Sequence, residues 1–320
     1  METYGLSNGA ATFPRYIFLT SITDPQGNTT TLNYDSQFRI TSVVDAMGRN
    51  SNGGRWLSDA GYPSPRKMEV NVNITYKTIT FELAYALKHP FIMIYNKRPE
   101  SMRQAALTRI DCRQVAGGVQ GREYAQVTLC STHEQSTVTS VGDLVAYTRT
   151  MSVPHLYDAI KDAKPMSAIK TFTYPRQCWR RYDELADMPQ GLLIVGDATC
   201  SFNPAFGQGM SVASQAISRL IPLRSELVQG KSCAQAQKLI FYDAWVPFTL
   251  NAVLDHKLVQ TTGWAPPLLG VAQWFIGKLA RASTRNQSVS RAFIQVVNLC
   301  SNPVVFLRPD LLAKIFWYGV

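Results

Sequence analysis

The clearest hydrophobic pattern in the chain is the run Leu192-Leu193-Ile194-Val195, closed by Gly196-Asp197. Consecutive apolar residues between glycines predict a short strand buried on both faces, as strands of parallel sheets are. After a turn-rich loop, Gly207-Gln208-Gly209 opens a stretch with small and apolar residues at helical spacing, so a helix is predicted from the glycines onward. Upstream, Val70, Val72, Ile74 and Tyr76 alternate with polar partners and predict a strand, which Thr78, Thr80 and Phe81 continue less regularly. Phe91–Tyr95 and Ala125–Leu129 read as further strands. Residues 143–164 read as helical with Pro154 opening a second part, and residues 231–320 read as helices. Near the front, Asp24-Pro25-Gln26-Gly27-Asn28 before Thr29-Thr30-Thr31-Leu32 predicts a turn and the strand of a hairpin.

These elements place the chain in the α/β (α+β) class. A strand, a glycine-carboxylate end and a glycine-opened helix make a cofactor-cradling arrangement in such folds. Asp197 at the strand's carboxyl end can accept hydrogen bonds from a chain of hydroxyls. Gly207 and Gly209 let backbone approach a flat ring, because no Cβ intervenes. The helix start, with free N–H groups and the positive dipole end, favours negative charge beside it.

The segment Gly191–Ser211 resembles the second flavin motif of FAD-dependent monooxygenases of the aromatic (polyprenyl-methoxyphenol) hydroxylase type. The common Ala-His after Gly-Asp-Ala is here Thr199-Cys200, which narrows the likeness to a subset with Cys-Ser-Phe-Asn-Pro. A second match runs from Val43 to Ser51, a strand ending in Asp-x-x-Gly-Arg-x-Ser, followed by Arg55-Trp56-Leu57 and Gly61-Tyr62-Pro63. Tyr174–Asp183, Leu156–Ile160, Asn302-Pro303 and Phe306–Pro309 also resemble the family, so the likeness covers roughly residues 40–320.

The resemblance implies a partial Rossmann-like FAD-binding domain, an inserted β-sheet substrate domain and C-terminal helices. It implies cofactor binding by Asp45, Gly48, Arg49, Gly196, Asp197, Pro204, Gly207, Gln208, Gly209 and Met210. In that reading Asp197 contacts the ribityl chain, Pro204 flanks the ring, and Gly207–Gly209 face its pyrimidine end. NAD(P)H would reduce FAD, and O₂ would then oxidise an apolar small molecule of the kind met in secondary metabolism, by hydroxylation or epoxidation. The resemblance supplies no acid–base residue. The family's opening Gly-x-Gly-x-x-Gly turn, which holds the FAD pyrophosphate, does not occur in these 320 residues.

On this layout residues 1–62 form an N-terminal hairpin and the remnant of the FAD-binding domain, and 63–175 a β-rich substrate domain. Residues 176–230 return to the FAD-binding domain and 231–320 form the helical region. Ile22–Thr41 also resembles, weakly, one unit of the tyrosine-aspartate repeats of Rhs-type shell proteins, which need many tandem units to bury a core. A hairpin inside the flavoprotein is the preferred reading, since no internal repeat is present. Two functions stay open: an FAD-dependent oxidoreductase, or a non-catalytic flavoprotein remnant or repeat fragment.

Composition narrows the partners. The net charge is +10, from 32 Lys and Arg against 22 Asp and Glu. The cations are dispersed apart from Arg176–Arg181 and Lys278–Arg285, which suits a solvated basic face first and an anionic cofactor second. No aromatic-basic interleaving points to nucleic acid. The six cysteines stand singly, Cys200 reading as a small buried hydrophobe, and with no signal peptide they predict reduced thiols and a cytoplasmic chain. The four histidines have no metal-ligand spacing, and Asp255 and His256 read as surface polar residues. The uncharged run Leu258–Gly277, broken by Pro266-Pro267, reads as an amphipathic lid or a weak membrane-surface contact rather than a span.

Overall fold

The computed structural model describes residues 1–7, 17–25, 27–34, 36, 40–88, 90–95, 103–134 and 137–320. Gln26, then Asp35, Phe38 and Arg39 within the segment Ile22–Thr41, and His89 among the four histidines lie outside the described residues. The chain is α/β and divides into two compact units, the first formed by Met1–Val70, Gln177–Leu254 and Gly263–Val320, the second by Asn71–Arg176 and Asp255–Thr262.

The first unit contains a five-stranded sheet in the order Glu2–Ser7, Ile17–Thr23, Thr29–Tyr34, Ile40–Ala46, Leu192–Ile194. Three antiparallel pairings lead to a parallel one, in which Leu192, Leu193 and Ile194 stand opposite Val43, Val44 and Asp45. The hairpin turn is set by Asp24, whose carboxylate accepts from the backbone and side-chain nitrogens of Asn28, both at 2.8 Å. The apolar run at 192–195 is sandwiched as predicted. Leu193 and Val195 pack with Ala216 and Leu220 of the helix Gly209–Leu220 and with Ala236 and Ile240 of Cys233–Asp255. Ile194, pointing the other way by the two-residue period of a strand, packs with Leu57, Tyr182 and Ala198. Three further helices, Leu269–Arg285, Gln287–Val297 and Pro309–Tyr318, share a separate core of Leu279, Ala282, Val289, Ala292, Leu311 and Ile315.

In the second unit Tyr124–Thr132 lies between the long strand Lys67–Glu82 and Arg103–Ile110, and Phe91–Tyr95 pairs with the latter, all antiparallel. The long strand begins in the first unit. Its buried positions are even up to Ile74 (Met68, Val70, Val72, Ile74) and odd from Ile79 (Ile79, Phe81). The irregular alternation in the sequence is therefore a change of buried face within one strand. Ile79, Phe81, Leu107 and Val127 pack against Leu144 and Tyr147 of the helix Val141–Arg149 and against Leu156 and Ile160 of His155–Ile160. Ser140 and Asp143 cap the first of these helices in a capping box, and Pro154 precedes the second.

Two expectations are corrected. Asp255 is fully buried at the end of the helix Cys233–Asp255 rather than a surface residue. Arg181 is not part of a solvated face: its guanidinium lies over the rings of Trp179 and Phe241, 4.8 and 4.7 Å from their centroids. It donates to both carboxylate oxygens of Asp183 at 2.9 and 2.7 Å and pairs with Glu184 at 2.9 Å.

Candidate functional site

Because Ile40–Ala46 and Leu192–Ile194 run parallel and in register, both end at one edge of the sheet, with the Val195 amide donating to the Asp45 carbonyl at 2.9 Å. Carboxyl ends of parallel strands are where open α/β sheets place their ligands. Each strand then enters a single turn that opens on a glycine at positive φ, Gly48 at +69° and Gly196 at +61°. Arg180 ties the two turns together, donating to the Arg49 carbonyl at 2.6 Å and to the Ala198 carbonyl at 3.1 Å.

The two aspartates brought to this edge differ in kind. Asp45 is fully buried, and its oxygens accept from the Met47 amide at 2.9 Å and from the Ser51 hydroxyl. Ser51 in turn accepts from the Gly53 amide at 2.9 Å. A Cβ on Gly53 would come within 2.9 Å of an Asp45 oxygen and 2.8 Å of Ile194 Cδ1, so a larger residue there has to displace the ends of those side chains. Asp45 thus shapes the turn. Asp197 instead exposes its side chain, and among the described residues no donor is hydrogen-bonded to its carboxylate.

Asp197 lines a cavity of about 250 Å³ together with Phe202, Asn203, Pro204, Gly207, Gln208, Gly209 and Met210. The loop behind it is fixed from within. The Thr199 hydroxyl donates to the Ile194 carbonyl at 2.8 Å, and the Asn203 side chain accepts from the Ala205 amide at 3.0 Å. Pro204–Phe206 forms one tight turn ended by Gly207 at φ +67°, and the helix Gly209–Leu220 starts without a side-chain cap. Gln208 is buried; its Nε2 donates to the Val297 carbonyl at 2.9 Å, and its Oε1 has no partner among the described residues. Met210, 84% exposed, forms the rim. Cys200 is buried, and that burial holds its thiol well above the ordinary range, so it is an inert hydrophobe rather than a nucleophile.

Partial desolvation against the cavity wall raises the Asp197 carboxyl above its ordinary value, while Arg49 and Arg180 pull it back. The folded chain therefore holds this proton more tightly than the unfolded chain does. Stability from this group is full at low pH, and is lost as pH rises from the ordinary carboxylate value of about 3.9 through the raised one. Asp197→Asn is expected to melt slightly above the parent at pH 8, with the gain vanishing towards pH 3.5, the effect being small because the group faces solvent. A lower melting temperature for the variant at pH 8 would contradict this origin of the shift.

Beside the two turns lies a second cavity of about 460 Å³, with Arg55, Lys67 and Arg180 among its walls and Ser51, Asn52 and Ser58 between them. The sequence flagged Arg180 only as one cation in a cluster, and Ser51 only within a motif. Gln237 was not singled out at all, although its Oε1 accepts from the Ile194 amide at 2.7 Å and so holds the outer edge of the strand that ends before Asp197. Among the described residues no group of acidic, cysteine and histidine side chains could hold a metal ion, and no helix is long and apolar enough to cross a membrane.

The RHS Repeat family model matches residues 18–49, the hairpin and the strand that carries Asp45. Among solved structures the chain is similar to tetracycline destructase Tet(51), at 12% identity and a TM-score of 0.41, over 88% of this chain and 68% of that one. It is also similar to a flavoprotein/dehydrogenase from Cytophaga hutchinsonii, at 14% identity and a TM-score of 0.45, over 74% and 52%. A third is CabE, an aromatic hydroxylase from angucycline biosynthesis, at 14% identity and a TM-score of 0.43, over 87% and 51%. In sequence the chain is 25% identical over 244 residues to Protein Rv3254 of Mycobacterium tuberculosis, covering 73% of this chain and 49% of that protein. The chain thus spans about half the length of the curated relative it matches.

Proposed function

We propose that this chain carries the flavin-contacting part of an FAD-dependent oxidoreductase of monooxygenase type. The observation that supports it most is Asp197: an exposed carboxylate, with no hydrogen-bond donor on it among the described residues, at the end of a parallel strand pair and near the glycine that starts a helix. The donor set fits the group. Asp197 accepts hydroxyls of the ribityl chain, the backbone at Gly207 and Gly209 admits a ring edge, and Gln208 Oε1 offers a buried acceptor to a ring N–H. The N-terminus of Gly209–Leu220 stabilises negative charge on that edge. At about 250 Å³ the cavity is smaller than the ~300–1,000 Å³ of whole-ligand sites, so it takes the ribityl chain and one ring edge.

A bound flavin supplies the redox and oxygen chemistry; the chain supplies position and electrostatics. Asp45, Gly48 and Arg49 act through the turn that Arg180 holds, and the cations Arg55, Lys67 and Arg180 face an anionic group such as a cofactor phosphate, including that of NAD(P)H. The proposed substrate is an apolar small molecule. Titrating FAD into the purified chain tests the reading. Absorbance bands near ~370 and ~450 nm that survive desalting are expected, and a protein that stays colourless would sink it.

A further inference from the structure

The helix Leu269–Arg285 carries a stripe that its core does not absorb. Val271, Trp274, Lys278, Arg281 and Arg285 fall at i, i+3, i+7, i+10 and i+14, which is one face of a helix. The apolar end is exposed, Val271 at 57% and Trp274 at 50%. It is extended by Phe316 of the helix Pro309–Tyr318, 43% exposed, whose ring centroid is 5.8 Å from that of Trp274. The other end is cationic. Lys278 Nζ stands 5.6 Å from the Trp274 ring centroid. Arg281 donates to the Gly319 carbonyl at 2.9 Å and Arg285 to the Val320 carbonyl at 2.8 Å, which anchors residues 316–320 beside the stripe.

The stripe itself carries three cations, Lys278, Arg281 and Arg285, and the helix Leu269–Arg285 has no acid. From residue 264 onward the chain has six cations (Lys278, Arg281, Arg285, Arg291, Arg308 and Lys314) against the single acid Asp310, a net +5 of the chain's +10. A second copy of the same face would be repelled by that charge, whereas an anionic surface is drawn to it. Tryptophan seats at the boundary between hydrocarbon and water, and lysine reaches from there to headgroups. The helix has 17 residues, and none in the described structure is long and apolar enough to cross a bilayer.

We propose that this face docks in the plane of an anionic phospholipid bilayer, with Val271, Trp274 and Phe316 entering the interface and Lys278, Arg281 and Arg285 at headgroup level. The proposal is independent of the flavin reading.

Sedimentation of the full chain with phosphatidylcholine vesicles, with and without about a third phosphatidylserine, tests it. Binding is expected to the anionic vesicles and not the neutral ones, weakening as salt is raised from about 0.1 M towards 1 M. Lys278→Gln with Arg285→Gln should lower the partition by roughly tenfold or more, since each cation near an anionic surface contributes about fivefold. Quenching of tryptophan fluorescence by bromolipid should fall in Trp274→Phe, whose fold is checked by circular dichroism. Equal binding to both vesicles, no pelleting with either, or undiminished quenching in Trp274→Phe would overturn the proposal. So would a concentration-dependent dimer that Trp274→Ser dissociates, because the face would then be covered by a second copy.

Discussion

Replacing Asp197 by alanine is expected to weaken FAD binding by about 10–150-fold, read by titrating flavin fluorescence against the purified chain. The basis is the ~1.5–3 kcal/mol of a hydrogen bond to a charged group. That acceptor is free in the absence of ligand, since no protein donor is bonded to the Asp197 carboxylate among the described residues. The carboxylate also sits where the fold raises its pKa, so the ionised form is kept against a small cost in stability. Groups held in that way cluster at functional sites. The two roles separate experimentally: Asp197→Asn should melt slightly higher than the parent at neutral pH and bind flavin less well. If Asp197→Ala bound FAD as the parent does, the carboxylate would have no part in recognition and the proposed site would fail.

How much of this could be read from sequence depended on whether the cause was local. The strand before Asp197 was legible because four apolar residues between glycines predict burial on both faces; Leu193, Ile194 and Val195 are buried and Leu192 partly so. The helix behind Gly209 was legible from its periodicity, and the region after residue 231 was read as helical without the bounds of its helices. The hairpin turn followed from Asp24 and Gly27, the glycine at φ +88°. Pairings between distant segments left no such mark. Arg180 reaches a carbonyl 131 residues away at Arg49, and nothing near either residue signals it. Gln237 holds the amide of Ile194, 43 residues away, and reads in sequence as an ordinary helical glutamine. The distinction between Asp45 and Asp197 was also hidden, because it rests on which carboxylate already has donors. The change of buried face in Lys67–Glu82 did leave a trace, the broken alternation after Tyr76, but its meaning needs the sheet neighbours.

The RHS-matched hairpin is wired into the site rather than appended to it. Its last strand, Ile40–Ala46, is antiparallel to Thr29–Tyr34 on one side and parallel to Leu192–Ile194 on the other. Damage to the hairpin therefore reaches Asp45 and, through the turn that Arg180 holds, the surroundings of Asp197.

The start of the Leu192–Ile194 strand is held by three closely packed backbones, and Gly230→Ala is expected to break it. Gly191 donates its amide to the Gly230 carbonyl at 2.9 Å and accepts from the Val43 amide at 2.6 Å. The three backbones lie so close that a Cβ on Gly230 would fall 2.2 Å from the Thr41 carbonyl oxygen, with Gly191 Cα at 3.3 Å. Backbone cannot yield as a flexible side chain can. Gly230 also has φ +76°, which costs a non-glycine residue roughly 1–2 kcal/mol. Overpacking adds about 1–3 kcal/mol, so the variant should lose roughly 2–5 kcal/mol, seen as a lowered urea midpoint. Gly207→Ala is the control that isolates the clash. It has a similar φ, +67°, but nothing lies within 4 Å of its Cβ, so only the conformational cost of about 1–2 kcal/mol applies. Its methyl would stand at the wall of the Asp197 cavity, so Gly207→Ala should lose flavin affinity while keeping most of its stability. Gly230→Ala should do the reverse in any fraction that remains folded. Equal losses of stability in the two variants would mean that positive φ, and not the meeting of Thr41, Gly191 and Gly230, is what makes the strand start require glycine.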